Sequence, residues 1–272
     1  MNCDLTKKCP FCGRELLTLA GAVVLDDPAD PRRSALQGLE MACTCEAALY
    51  ADAQIDAEIE ALRAVKTANA RAERLRSRLE ASNLPSEWHG RGLSAWQRRT
   101  PNEQAAYDAA VAFGSRIRKG EHPCLYISGP IGTGKTMLAS CLSVDLIRLG
   151  CAVLWSNVGD VLRSLRATFN GAGNEEAIIS RYASPSILVL DDLGKERPTE
   201  WAAEQLFAIF NRRYERGKTT IVTTNYGGID LVKRLTPRPD ASGYADDTTA
   251  RAIVDRLRGT ANIIILEGNS KR

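Results

Sequence analysis

Runs of apolar residues alternate with amphipathic stretches across the second half of the chain. Several runs are apolar at successive positions, as expected of strands that are buried on both faces of a parallel sheet. The predicted strands cover residues 124–128, 152–156, 186–190, 218–224 and 262–266. The segments between them space their apolar residues with helical periodicity. This alternation predicts an α/β fold, with a parallel sheet flanked by helices.

The predicted helices of this half cover residues 101–119, 136–150, 158–169, 175–182, 200–216 and 247–258. Upstream, residues 46–81 are rich in Ala, Glu and Arg and contain no Gly or Pro, which predicts one long helix. Polar residues interrupt its apolar stripe, which argues against a long continuous coiled coil. The helix is interpreted as a linker, a partner-docking element or part of a coiled coil. The stripe consists of Ile55, Ile59, Leu62, Leu75 and Leu79.

The composition of the chain indicates its cellular compartment more clearly than its activity. The chain has 272 residues and a net charge of +3, which is too small to indicate a nucleic-acid partner. No apolar run approaches the length of a membrane span, and the first residues do not resemble a signal peptide. We therefore expect a cytoplasmic protein without a membrane partner. In that compartment its eight cysteines are expected to bind metal or to be buried, rather than to form disulfides.

Two closely spaced cysteine pairs near the start of the chain predict a metal site. Cys9 and Cys12 form a C-x-x-C pair, and Cys43 and Cys45 form a C-x-C pair about thirty residues later. Four thiolates meet the tetrahedral demand of structural Zn²⁺ and leave no open position for catalysis. Cys3 is a further thiol that could replace one of these ligands. The alternative, a redox C-x-x-C motif, lacks a thioredoxin-like βαβ context.

One segment indicates the ligand class of the second half. It fits the pattern G-x-x-x-x-G-K-[ST], in which a Gly-rich backbone surrounds phosphate oxygens at the start of a helix. Lys135 is expected to reach the β- and γ-phosphates of a nucleoside triphosphate, and the Thr136 hydroxyl to bind Mg²⁺. A chance Gly-rich turn is the alternative, but a predicted strand precedes the segment and a predicted helix follows it. The segment consists of Gly129, Pro130, Ile131, Gly132, Thr133, Gly134, Lys135 and Thr136.

Polar residues at the ends of later strands extend this candidate nucleotide site. Asp191 and Asp192 follow an apolar strand about 55 residues after Lys135. Asp191 is expected to hold Mg²⁺, and Asp192 to act as the general base on the attacking water. Alternatively, the pair only caps a turn. Asn225 ends the next strand, where its amide could hydrogen-bond the γ-phosphate or orient water, although loop asparagines usually form turns.

Two arginines on the last predicted helix are further candidates. Arg251 and Arg256 lie five residues apart. Either could complete a γ-phosphate site, in the same subunit or as an arginine finger that reaches a neighbouring one. Arginines are common on exposed helix faces, so these two depend on their context.

Taken in order, these motifs resemble the AAA+ ATPases of the DnaC/IstB group. That group comprises bacterial and phage replicative-helicase loaders and transposition helper ATPases. The resemblance runs from residue 84 to the end of the sequence. It implies an AAA+ P-loop core that oligomerises, binds ATP between subunits and hydrolyses it. It also implies that the protein binds a hexameric replicative helicase through its N-terminal region and single-stranded DNA through its core. The matching segments are 129–136, 187–194, 200–201, 204–207, 211–214, 223–225 and 255–257.

The resemblance also assigns roles to single residues. Asn225 becomes sensor 1 and Arg256 the arginine finger. Where the family usually has Glu-Arg, this chain has Arg251 and Ala252, so the sensor 2 arginine is displaced or absent, and Arg251 is proposed for it on weak grounds. Residues 236–247 look like an insertion.

Domains and function follow as expectations. Residues 1–48 are expected to form a Cys-rich zinc-binding region, 49–83 a helical linker and 84–272 the AAA+ ATPase domain, with ATP, Mg²⁺ and Zn²⁺ as cofactors. The first hypothesis is an ATP-dependent loader of a replicative helicase. The second is a transposition helper ATPase, and the third an ATP-binding adaptor whose hydrolysis is vestigial.

Overall fold

The computed structural model describes residues 8–14, 45–170, 173–239, 245–259 and 261–268. Five strands form its sheet: β1 Cys124–Ser128, β2 Val153–Asn157, β3 Ile187–Leu193, β4 Thr219–Thr224 and β5 Ala261–Ile265. The helices are α1 Glu46–Ala81, α2 Pro101–Arg118, α3 Lys135–Arg148, α4 Val158–Ala167, α5 Glu175–Ala183, α6 Glu200–Glu215, α7 Gly228–Leu235 and α8 Thr248–Arg258. Short 3₁₀ turns cover Ser86–Trp88, Leu93–Ala95 and Thr168–Asn170.

All neighbouring strands of the sheet are parallel, in the order β2-β3-β4-β1-β5. The prediction of a parallel sheet flanked by helices is confirmed. Every residue of β1 and β4 is buried, as expected of central strands that are covered on both faces. Because β3, β4 and β1 are neighbours and run parallel, the loops that follow these three strands converge at one edge of the sheet.

Helices cover both faces of this sheet. Leu125 and Ile127 point to the face that packs with α2 and α3. Tyr126, between them, points to the opposite face, which packs with α4 to α8. This alternation is the two-residue period of a strand with hydrophobic layers above and below it.

The chain divides into two compact units, Met1–Ala72 and Glu73–Arg272. The division falls within α1, whose bounds agree with the predicted helix. In the second unit the last turns of α1 bury Leu79, and the carbonyl of Ser82 accepts a hydrogen bond from the Trp155 backbone N–H at 2.7 Å. The boundaries proposed at residues 48 and 83 stay a prediction. Across the described residues, no helix combines the length and apolarity that a membrane crossing requires.

Two elements differ from the sequence prediction. Helix α7 was not predicted, because Gly227 and Gly228 at its start favour a turn. Strand β3 continues through Asp191 and Asp192 to Leu193, with a shift of register against β4 between Leu190 and Leu193. The acidic pair therefore lies within an irregular strand end rather than after it.

Candidate functional site

The P-loop connects β1 to α3, and its backbone conformation explains its glycines. Gly132 and Gly134 adopt left-handed conformations, with φ values of 87° and 95°. Gly129 has a φ of 150°, and a Cβ there would lie 2.1 Å from the carbonyl oxygen of Leu266. Larger residues at these positions would strain or displace the loop.

The loop also supplies donors suited to an anion. Helix α3 begins at Lys135 with no side chain capping its first N–H groups, so a phosphate could bind them. The Lys135 ammonium group is buried and donates to the carbonyl oxygens of Gly129 at 2.8 Å and Pro130 at 2.7 Å. The Thr133 hydroxyl donates to the Pro130 carbonyl at 2.9 Å. These features fit the phosphates of ATP.

The residues predicted to bind magnesium meet at the start of α3. The Thr136 hydroxyl donates to the two carboxylate oxygens of Asp191, at 2.9 and 3.1 Å. Asp191 is only 4% exposed, and this burial raises the pKa of its carboxyl, against hydrogen bonds from Thr223 and Thr136 that lower it. A hydroxyl beside a desolvated carboxylate is an oxygen donor set that fits Mg²⁺.

Thr223 is a site residue that the sequence argument missed. Its hydroxyl donates to Asp191 Oδ1 at 2.5 Å and accepts a hydrogen bond from the Asp192 backbone N–H at 2.9 Å. It thereby orients both acidic residues from the neighbouring strand β4. Its position directly before Thr224 and Asn225 was the only signal in the sequence.

Asp192 occupies an unusual backbone position and has a cationic neighbour. Its φ is 63°, a left-handed value that aspartate tolerates better than most residues. One of its carboxylate oxygens accepts a hydrogen bond from the Lys195 ammonium group at 2.6 Å. Lys195 was not among the predicted site residues.

Asn225 lies at the same edge of the sheet. It directly follows β4, where Thr224 is in register with Ser128 of β1 and with Leu193 of β3. It is half-buried. The structure thus brings Asn225 to the strand ends that carry the P-loop and the acidic pair.

The two predicted arginines lie elsewhere. Arg256 Nε donates to Asn211 Oδ1 at 2.8 Å, and the guanidinium lies 4.8 Å from the centre of the Phe207 ring. It lines a small cavity with Cys124 and Thr220, at the starts of β1 and β4, so it is at the edge opposite the P-loop. Arg251 is exposed and forms an ion pair with Asp247 at 2.6 Å.

Three of the predicted zinc ligands lie together in the first unit. The sulfurs of Cys9, Cys12 and Cys45 are all within 4.8 Å of one another. The sulfurs of Cys9 and Cys45 are 3.8 Å apart. Cys43 and Cys3 lie outside the described residues. Three convergent thiols are a donor set that fits Zn²⁺, and a fourth ligand would complete a tetrahedral site.

Comparison with known proteins places the chain in a family. It matches the IstB-like ATP binding protein family over residues 59–272. It is 30% identical over 177 residues to an insertion-sequence ATP-binding protein of Sinorhizobium fredii, a match that covers 64% of this chain and 66% of that protein. It is 29% identical over 112 residues to the replicative helicase loader DnaC of Escherichia coli, covering 41% of this chain and 46% of DnaC. The chain thus spans less than two thirds of the length of either relative.

Solved structures show the same fold. The crystal structure of the DnaC helicase loader gives a TM-score of 0.56 at 22% identity, covering 66% of this chain and 99% of that one. The crystal structure of DnaI gives a TM-score of 0.56 at 24% identity, covering 70% and 95%. AMPPCP-bound DnaA from Aquifex aeolicus gives 0.53 at 21% identity, covering 69% and 52%. With its AAA+ P-loop fold and this family match, the chain belongs to the IstB-like ATP-binding proteins.

Proposed function

We propose that the protein is an ATP-dependent loader that places a hexameric replicative helicase on single-stranded DNA during replication. The observation that carries the ATPase part is the meeting of Thr136 and Asp191 at the P-loop, with Asp192 beside them. The loader part is supported by the similarity to the replicative helicase loader DnaC, and we expect the first compact unit, which holds the three convergent cysteines, to contact the helicase.

The geometry supports a simple route for ATP hydrolysis. Lys135 and the first backbone N–H groups of α3 would hold the triphosphate. Mg²⁺ bound by Thr136 and Asp191 would neutralise charge on the β- and γ-phosphate oxygens. Asp192 accepts a proton from water as the water oxygen bonds to the γ-phosphorus and the bond to the β–γ bridging oxygen breaks. The products are ADP and inorganic phosphate. Asn225 orients the water or the γ-phosphate.

The position of Arg256 supports a homo-oligomer. Because it lies at the edge opposite its own P-loop, it can contribute to an ATP site only by reaching that of a neighbouring subunit. An arginine placed there would stabilise charge on the transferred phosphoryl group. Arg251 remains the candidate for sensor 2, although its ion pair with Asp247 would have to open.

A helicase-binding experiment tests the loader. The protein is mixed with the replicative helicase encoded in the same genome, and complexes are separated by size-exclusion chromatography with ATP. We expect a stable complex and ATP-dependent transfer of helicase to a circular single strand. A protein that ignores the helicase but coats duplex DNA in the presence of ATP would contradict this function.

The second candidate is a transposition helper ATPase. The similarity to the insertion-sequence ATP-binding protein of Sinorhizobium fredii, 30% identical over 177 residues, favours it. ATP-dependent binding of duplex DNA and of a transposase, without helicase, is the result it requires. The adaptor hypothesis is tested separately. Equal ATP turnover by the wild type and Asp192→Asn, with single-stranded DNA present, would remove hydrolysis from the function.

A further inference from the structure

We propose that Lys195 restrains the carboxylate of Asp192 in the resting protein, and that a phosphate of single-stranded DNA relieves this restraint by drawing the lysine away. The inference concerns the regulation of the ATPase site and rests on the function proposed above. Lys195 is in this view a positioning residue that acts through Asp192.

The contact itself involves the atom that catalysis needs. Lys195 Nζ is 2.6 Å from Asp192 Oδ2. A general base must offer a carboxylate lone pair to the proton it accepts. While the ammonium group occupies this oxygen, it competes with water and fixes the direction in which the carboxylate points.

The local backbone builds this contact. Residues 192–195 form a tight turn in which the Lys195 backbone N–H donates to the Asp192 carbonyl at 3.3 Å. The third residue of the turn, Gly194, has a φ of 92°, as a type II turn requires. The turn therefore returns the lysine side chain towards the carboxylate three residues earlier.

Two further side chains hold the turn in place. The Gly194 N–H donates to the Glu196 carboxylate at 2.9 and 3.1 Å, and Arg234 Nε donates to the Gly194 carbonyl at 2.6 Å. Burial raises the pKa of Glu196, against the backbone hydrogen bonds that lower it. Because the Gly194 backbone is anchored on both sides, the Lys195 side chain can move without loss of the turn.

The lysine is open to an incoming anion, whereas the aspartate is much less so. The Lys195 side chain is 52% exposed and that of Asp192 is 21% exposed. Arg197 is also exposed, two residues further along the chain. A nucleic-acid phosphate can thus attract Lys195 from the solvent side, since phosphate contacts with lysine dominate such binding.

The size of the effect follows from the exposure of the pair. Pairs that are half open to solvent are weak, so removal of Lys195 should raise the fraction of freely oriented Asp192 by a small factor, about two- to fivefold. We expect the same factor in the kcat of ATP hydrolysis without DNA. The KM for ATP should stay unchanged, because the P-loop contacts are untouched.

The test uses Lys195→Met and Lys195→Arg in the full chain, with phosphate release as the readout. Lys195→Met should raise kcat about two- to fivefold, whereas Lys195→Arg keeps a cation and should stay at the wild-type rate. The matched control is Lys233→Met, which removes the same charge from another i, i+3 ion pair, with Asp230 on α7, and should leave kcat unchanged. An unchanged or lower kcat for Lys195→Met overturns the proposal.

Two further measurements identify the route. Asp192→Asn with and without Lys195→Met should give equal rates, because the restraint acts through that carboxylate. Poly(dT) should stimulate the wild type but add little to Lys195→Met, and equal stimulation of both would overturn relief by DNA. Helicase transfer is measured beside turnover. If Lys195→Met loads helicase but its kcat is unchanged, only the proposed restraint is refuted. If its kcat rises but no variant loads helicase, only the loader function is refuted.

Discussion

Lys135 stabilises the resting P-loop, and we propose that the same side chain binds the triphosphate. The residue is only 5% exposed, and its ammonium group donates hydrogen bonds to two carbonyl oxygens of the P-loop. A triphosphate would replace these neutral acceptors by charged ones, which form hydrogen bonds about twice as strong. The lysine is therefore positioned near its ligand before the ligand arrives.

Substitution Lys135→Ala should weaken ATP binding by about ten- to a hundredfold, since hydrogen bonds to charged groups contribute about 1.5–3 kcal/mol. Isothermal titration calorimetry with ATP and Mg²⁺ measures this. Lys119→Ala, which removes an exposed lysine at the end of α2, is the control and should bind as the wild type does. Tight binding retained by Lys135→Ala would argue against the P-loop assignment.

At the scale of elements, one buried arginine joins two helices to the sheet. Arg213 of α6 is 1% exposed, and burial lowers its pKa to about 10. Its guanidinium donates to the carbonyls of Tyr182, Ala183 and Pro185, and to the Thr220 hydroxyl. These acceptors lie at the end of α5 and the start of β4, so this side chain fixes the amino edge of the sheet.

Arg213→Met should lower the free energy of unfolding by about 3 kcal/mol or more, because it leaves several buried carbonyls without a donor. Urea denaturation followed by circular dichroism measures the change. The neighbouring Arg212 pairs with exposed Glu176, so Arg212→Met should cost less than about 1 kcal/mol. Similar losses for the two variants would show that burial of Arg213 is not the cause.

The elements were predictable where periodicity and turn residues agreed. The helix from residue 46 to 81 and strand β1 were predicted with their observed bounds. Helix α7 was not predicted, because two glycines stand at its start. Its apolar face, formed by Leu231 and Leu235, is evident only from their burial in the fold. Propensity at a helix start is a local signal, and packing of the rest of the helix outweighs it.

The site was predictable only in its motif residues. Thr136 and Asp191 were both predicted to bind Mg²⁺ from the motifs that contain them, and their side chains are in contact. The contacts of Thr223 and Lys195 depend on the register shift in β3 and on the turn at Gly194, and periodicity reveals neither. Arg256 lies on the predicted last helix, but the edge of the sheet that its side chain reaches could be determined only from the fold.

At the scale of the whole molecule, Arg256 predicts that ATP turnover is shared between subunits. Arg256→Ala alone should lose most of its turnover, on the order of a thousandfold if it acts as an arginine finger. Mixing it with Lys135→Ala, which keeps Arg256 but lacks a working P-loop, should restore part of the activity at mixed interfaces. Phosphate release across mixing ratios measures this. An inactive mixture in which subunits demonstrably associate would contradict a role in the neighbouring site.

From the cysteine cluster we predict a bound Zn²⁺ that stabilises the first unit and does not affect the ATP site. Metal analysis of the purified protein should find about one Zn²⁺ per chain. Cys12→Ser or Cys45→Ser should release it while ATP binding stays at the wild-type level, because the P-loop lies in the other unit. Cys151→Ser, at a half-buried cysteine of the second unit, is the control and should retain the metal. Full zinc content in all three variants would refute these ligands.

The contact between Gly129 and Leu266 has a consequence for protein synthesis. The Leu266 N–H donates to the Ser128 carbonyl at 2.8 Å, and its own carbonyl fills the space beside Gly129. Leu266, directly after strand β5, thus forms one wall of a loop that is translated more than a hundred residues earlier. On the ribosome, a nascent chain that has not yet released this strand holds an incomplete P-loop. The P-loop backbone therefore gains its full packing only after residue 266 has left the ribosome.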